Sequence, residues 1–112
     1  MIAQVLQESR SSTNPRKTLR SRGLLVPAGG AGIDVRTVDI TVGGLSVMAN
    51  DHLVVGSRYA LTFAIPRRGT LYILTAEVAV VYSTQSATRD VRVGLRFVMP
   101  DARRAELIAG LH

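Results

Sequence analysis

Two residues of unlike chemistry stand two apart ahead of a double glycine: the carboxylate Asp39 and the hydroxyl Thr41, before Gly43-Gly44. The period of two in a strand puts both side chains on one face. A carboxylate there accepts hydrogen bonds and a hydroxyl gives or takes them, so the pair suits recognition of a polar ligand. It suits turn capping equally well. Upstream, Arg16 and Arg20 stand four apart in Arg16-Lys-Thr-Leu-Arg20. On a helix they share a face; in an irregular loop they converge on one ligand from two sides. Their planar forks match phosphate oxygens and guanine edges. The chemistry these residues imply is recognition. For bond making the sequence offers little: His52 and His112 are too few and too peripheral for a catalytic or metal cluster, and no cysteine supplies a thiolate. Asp39 and Asp51 are separated by a strand, and there is no Ser/His/Asp set and no phosphate-cradling P-loop.

The elements that position these residues read as strands. Val35, Val38, Ile40 and Val42 are β-branched, and Leu45 with Val47 resumes alternation after the glycines, where Gly43-Gly44 can take positive φ or lie close to a ligand. Leu24–Val26 is a short strand, closed by the turn Pro27–Gly32. Arg58–Ile65 alternates, with Tyr59, Leu61, Phe63 and Ile65 inward, and Pro66–Gly69 forms the next hairpin loop. In the long strand Leu71–Tyr82 the apolar parity shifts near Leu74, which predicts a bulge or a bend at a barrel corner there. Thr84–Asp90 reads as a polar loop. Val91, Val93, Leu95 and Phe97 point inward from the last strand. Asp101 caps a short helix with Leu107, Ile108 and Leu111 on its apolar stripe. Six antiparallel strands at roughly ten-residue spacing and one terminal helix predict an all-β fold, a small six-stranded barrel, with the helix covering an open edge.

A chain of 112 residues is one domain with a core of its own. No run approaches the roughly 18 apolar residues of a membrane span, and the start lacks the pattern of a signal peptide. The expectation is a cytoplasmic protein with no membrane insertion. The net charge is +6, and thirteen of the fourteen basic residues are arginine. A GC-rich genome gives the same bias, so distribution matters more than total. Arg10, Arg16, Lys17, Arg20 and Arg22 crowd the first 22 residues against Glu8 alone, a basic arm suited to an anionic partner. Residues 1–13 read as a flexible arm and 14–112 as the folded domain, with Leu19 the one apolar anchor of the arginine segment.

Two motifs then meet a family pattern. Arg16-Lys-Thr-Leu-Arg20 matches R-x-x-x-R, and Asp39-Ile-Thr41-Val-Gly-Gly44 matches [D/N]-x-S-x-x-G with threonine in the serine position. Together with Gly94-Leu-Arg-Phe97, in the right order ahead of a continuing β pattern, they resemble the PilZ domain, a bacterial receptor module for cyclic di-GMP. The resemblance covers Asn14 to Leu111. It implies a PilZ-type β-barrel that binds cyclic di-GMP through Arg16, Arg20, Asp39, Thr41 and Gly44. Arginines bond phosphate or guanine O6 and N7, Asp39 accepts from guanine N1–H and the exocyclic amine, Thr41 adds a hydroxyl and Gly44 lets the backbone approach. It also implies a switch with no chemistry of its own and no cofactor or metal. The ligand orders the arm for a protein effector in motility, exopolysaccharide or biofilm control, in a monomer or weak dimer.

Two other readings stand beside it. A degenerate adaptor of the same fold would use its basic face for a protein or an RNA, with steep salt dependence and no preference for guanine. The scarcity of aromatics counts against single-stranded RNA, and DNA is not expected. An enzyme is the third reading, and the weak one. Arg36, Arg92 and Arg96 occupy outward strand positions that either line the ligand groove or face solvent. Arg67-Arg68 reads as a hairpin tip and Arg103-Arg104 as the helix's polar side.

Overall fold

A computed structural model describes residues 15–111 of the chain; the expected arm over residues 1–13 lies outside the described residues. The strands are β1 Lys17–Thr18, β2 Arg22–Val26, β3 Ile33–Thr41, β4 Gly44–Ala49, β5 Arg58–Arg67, β6 Thr70–Ala87 and β7 Asp90–Phe97, followed by helix α1, Ala102–Ala109. All pairings are antiparallel. The order β3-β2-β5-β6-β7-β4 closes on itself through the β3–β4 pairing, giving the six-stranded ring that the alternation predicts. β1 is a seventh strand. It continues along β3 beyond the end of β2, with Lys17 opposite Ile40 and Thr18 opposite Asp39. Two polar residues carry no alternation signal, so nothing in the sequence marks them as a strand.

The inward sets of β5 and β7 fill the ring as expected, and Phe63 stacks on Phe97 with centroids 6.2 Å apart. The bulge is not at Leu74. β5 and β6 pair without interruption from Arg58–Ala79 to Arg67–Thr70. The parity shift has another cause: Tyr72, Leu74, Ala76, Val78 and Val80 keep one inward phase, while Leu71 and Ile73 stand outside, 65% and 66% exposed. The break in β6 comes later, where the register with β7 skips Val81. The expected loop from Thr84 to Asp90 is mostly strand, since Thr84 pairs with Arg92 and Ala87 with Asp90. This extension is exposed along β6, which is why it carries no apolar alternation. The Pro66–Gly69 loop also shrinks to a two-residue turn, Arg68-Gly69, with φ of 52° and 80°. Pro66 continues β5 past the last β2 pair, Gly23–Phe63, where a missing N–H costs nothing on that side.

Because the ring closes on itself, α1 has no main sheet edge to cover. Instead it packs against β5 and puts Leu107 and Ile108 into the core, followed by Leu111 just past its end. Asp101 is its N-cap, accepting from the Arg104 N–H at 2.9 Å. The helix has no basic residue in its last turn. Lys17 of β1 takes that place, its Nζ donating to the carbonyls of Ala109 at 3.0 Å and Leu111 at 2.6 Å. A cation at a helix C-terminus satisfies orphan carbonyls and opposes the negative end of the dipole. Arg104 departs from the expected polar side. It is buried, its guanidinium lies 3.9 Å above the Phe97 ring, and it donates to the Met99 carbonyl at 2.6 Å. Desolvation pushes this guanidinium below the usual arginine range, with Asp101 opposing.

Candidate functional site

The site begins with a fault in β3. Thr37 pairs with Val47 and Asp39 with Ser46, so Val38 is the extra residue of a β-bulge. Val35 and Thr37 point inward before the bulge, and Ile40 points inward after it. With Val38 in regular register, Asp39 and Thr41 would share the inward phase of Val35 and Thr37. The bulge turns them outward and keeps Ile40 fully buried.

The same fault holds the arginine segment. Leu19 N–H donates to the Val38 carbonyl at 3.1 Å, and Thr37 N–H to the Ser21 carbonyl at 2.8 Å. The buried Thr37 hydroxyl accepts from Ser21 N–H at 2.9 Å and donates to the Leu19 carbonyl at 2.6 Å. Leu19 is the anchor expected of it, 3% exposed in the core. The segment is therefore neither a helix nor a free loop. β1 carries Arg16 up to Asp39, and the chain then dives inward at Leu19.

Asp39 is the centre of the resulting network. Ser46 Oγ donates to Oδ1 at 2.6 Å, and Arg92 Nη2 donates to Oδ2 at 3.0 Å and to Ser46 Oγ at 3.2 Å. Arg16 Nη1 stands 3.6 Å from Oδ2, an ion pair without a hydrogen bond, and its side chain is 69% exposed against 15% for Asp39. Exposed pairs of this kind contribute about 0–1 kcal/mol, so Arg16 is free to exchange partners. Arg92 and Ser46 hold the carboxylate from the strands behind it; Arg16 only covers it.

Thr41 keeps the expected hydroxyl, but the hydroxyl serves the turn. It accepts from Gly43 N–H at 3.1 Å and Gly44 N–H at 3.2 Å, and donates to the Gly44 carbonyl at 3.3 Å. Of the two chemistries read for the Asp39–Thr41 pair, turn capping is present and belongs to Thr41 alone, while Asp39 bonds Ser46 and Arg92 instead. Neither Gly43 nor Gly44 has a positive φ, contrary to that expectation. Gly44 is required for another reason: a Cβ there would lie 2.1 Å from the Leu95 carbonyl oxygen.

Across the cleft the skip at Val81 turns Tyr82 outward, over Gly94. A Cβ on Gly94 would lie 2.1 Å from Tyr82 Cε2, so the glycine of Gly94-Leu-Arg-Phe97 is the seat of this ring. Arg16, Asp39, Thr41, Gly44, Ser46 and Tyr82 line one cleft of about 250 Å³. It presents a fixed acceptor, a movable guanidinium and an aromatic ring. Arg20 is not among its walls. It borders a neighbouring groove of about 460 Å³ with Arg22, Arg36 and Met48. Of the three outward arginines, Arg92 bonds Asp39, Arg36 belongs to the Arg20 groove, and Arg96 lines neither. Among the described residues no three His, Asp or Glu side chains gather to hold a metal.

A closed antiparallel ring, a C-terminal helix and an arginine segment laid against a β3 bulge define the architecture of this module. The family model described as PilZ domain matches residues 8–111. The chain belongs to the PilZ domain family. Among solved structures it resembles the inhibitor of motility MotI (DgrA) of Bacillus subtilis, with TM-score 0.72 and 18% identity over 88% of this chain and 46% of that one. The chain thus spans a little under half of that protein. It also resembles the PilZ domain of YcgR from Escherichia coli, solved with c-di-GMP, with TM-score 0.66 and 14% identity over 85% and 86% of the two chains. Comparison with the curated proteins gives no match. No helix among the described residues is long and apolar enough to cross a membrane.

Proposed function

We propose that this PilZ domain is a cyclic di-GMP receptor that passes the signal to a protein effector. The observation that carries the reading is the Asp39 carboxylate, fixed by Ser46 and Arg92 at the mouth of a cleft and covered, among the described residues, by the exposed Arg16 alone. Each carboxylate oxygen has lone pairs left after those bonds. Guanine offers two adjacent donors, N1–H and the exocyclic amine; adenine has no N1–H to give. The base enters edge-on to Asp39 and lies against Tyr82. Arg16 leaves Asp39 for a phosphate or for the O6 and N7 edge, which keeps its charge paired throughout. Arg20 reaches the ligand from its own groove, since Leu19 fixes the backbone between the two arginines. The movement therefore lies in these side chains. YcgR, whose PilZ domain was solved with c-di-GMP, lends the reading a precedent of fold.

The test is a calorimetric titration with cyclic di-GMP, cyclic di-AMP and GTP at physiological salt, beside Arg16→Ala and Asp39→Ala. The reading expects binding of cyclic di-GMP alone, weakened about a hundredfold or more in both variants. Absence of binding to the native chain refutes it and leaves a nucleotide-free adaptor. Equal binding of cyclic di-AMP refutes the account of guanine selection.

A further inference from the structure

The outer face of the ring carries an apolar strip that nucleotide binding does not use. Leu71 and Ile73 of β6 are 65% and 66% exposed, and they pair with Pro66 and Ala64 of β5. Leu24 of β2 approaches from the other side, so that Leu24, Ala64 and Ile73 line one shallow groove of about 250 Å³. The core takes nothing from Leu71 or Ile73, and a polar residue at either position would satisfy the same backbone pairing. A cluster of large apolar side chains on an exposed sheet face is a liability unless something covers it.

At one end the strip runs into arginine. Arg22 borders the same groove, and Arg36 is its directly opposed cross-strand neighbour. Like charges placed opposite each other repel. Among the described residues neither forms an ion pair, and nor does Asp34, the one carboxylate at the groove's margin. The face therefore combines opposed guanidinium groups, with Asp34 the one carboxylate nearby, and a sheet-aligned apolar row.

We propose that the outer face of β2, β5 and β6 docks an extended segment of a partner protein whose facing side chains, every second residue, are apolar along one half and acidic along the other. Its apolar side chains cover Leu24, Ile73 and Leu71, and its carboxylates meet Arg22 and Arg36. A nucleic acid fits less well, because the strip has no aromatic ring for bases to stack on. A two-fold pairing with a second copy also fits less well. It would set each Arg22–Arg36 pair against the other copy's Leu71 end, where Pro66, Thr70 and Leu71 offer no carboxylate.

The probe is a synthetic peptide with leucine at every second position of its first half and glutamate at every second position of its second half, serine between, titrated into the isotope-labelled full chain and followed by amide shifts. Polyglutamate and oligothymidylate serve as controls. The proposal expects shifts confined to β2, β5, β6 and the Arg36 region of β3. Affinity should fall about tenfold or more in Ile73→Asp and, separately, in Arg22→Glu, both with native-like spectra. Shifts of equal affinity with polyglutamate or oligothymidylate would overturn it, reducing the face to bare charge. So would a peptide that leaves these amides unmoved, or one whose affinity Ile73→Asp leaves intact. Self-association abolished by Ile73→Asp would make a second copy the occupant and overturn it as well.

Discussion

Arg92 is the residue on which the chemistry of Asp39 depends most. It contributes two of the contacts that orient the carboxylate, one direct and one through Ser46. A carboxylate held in one rotamer loses little entropy on meeting guanine, whereas a freely rotating one must be ordered at the moment of binding. Arg92→Gln should therefore weaken cyclic di-GMP binding about tenfold, with Arg92→Lys intermediate, while the melting temperature changes little. Calorimetry beside a thermal melt checks this; unchanged affinity in Arg92→Gln would remove Arg92 from the account. Sequence reading held Arg92 open between groove and solvent because its partner Asp39 lies on a strand remote in the chain. Ser46 was missed for the same reason. Only the β3–β4–β7 register, Asp39 to Ser46 and Met48 to Arg92, brings the three together. Tyr82 continues the sequence parity of Leu74 to Val80, and the skip at Val81 turns it to the opposite face. The signal for it was present in Val80-Val81-Tyr82, two β-branched residues followed by an aromatic, opposite Gly94.

At the scale of elements, the strands were legible wherever one face met the core. Tyr59 to Ile65 and Val91 to Phe97 show the alternation because each second residue is excluded from water. Elements with no apolar requirement were not legible: β1 is Lys17-Thr18, and the outer half of the β6–β7 hairpin is nearly all polar. The bulge at Val38 also escaped notice, since β-branched residues on both phases of β3 mask a change of face. Its importance gives a prediction. Deleting Val38 leaves Thr37 inward, Asp39 outward and Ile40 inward on a regular ladder, so the core survives; what goes is the carbonyl that accepts from Leu19 N–H. The variant should keep a cooperative melt by circular dichroism, while the Leu19 amide exchanges about tenfold faster. Loss of the cooperative melt would mean that the faces of β3 are not set by this one residue. Lys17 offers a gentler test. Lys17→Met keeps the stem but frees the carbonyls of Ala109 and Leu111, and α1 should lose about 1 kcal/mol of local protection in hydrogen exchange. Unchanged exchange in 102–111 would show that β1 does not hold the helix.

The whole molecule is a ring, and the site exists only when the ring is closed. Asp39 and Arg92 meet across two strand pairings, and every strand of the ring contacts both neighbours. No subset of strands buries the core, which runs from Leu19 to Leu111. Unfolding should therefore be all-or-none, with the fluorescence of Tyr82 in the cleft and the circular dichroism of the sheet following one denaturant transition. Tyr59→Phe and Tyr72→Phe isolate that signal; an earlier loss of the Tyr82 signal would show a site that opens apart from the ring. The cleft is also joined to the helix: Lys17, next to Arg16, is bonded to the end of α1.

The central claim is that Asp39 reads guanine by its two donors. The most direct measurement compares cyclic di-GMP with its hypoxanthine analogue, which keeps N1–H and lacks the exocyclic amine, on the native chain and on Asp39→Ala. The account predicts a preference of about tenfold or more for cyclic di-GMP in the native chain, falling to near unity in Asp39→Ala as both ligands bind weakly. A full preference surviving in Asp39→Ala would contradict it and place the guanine reader elsewhere in the cleft.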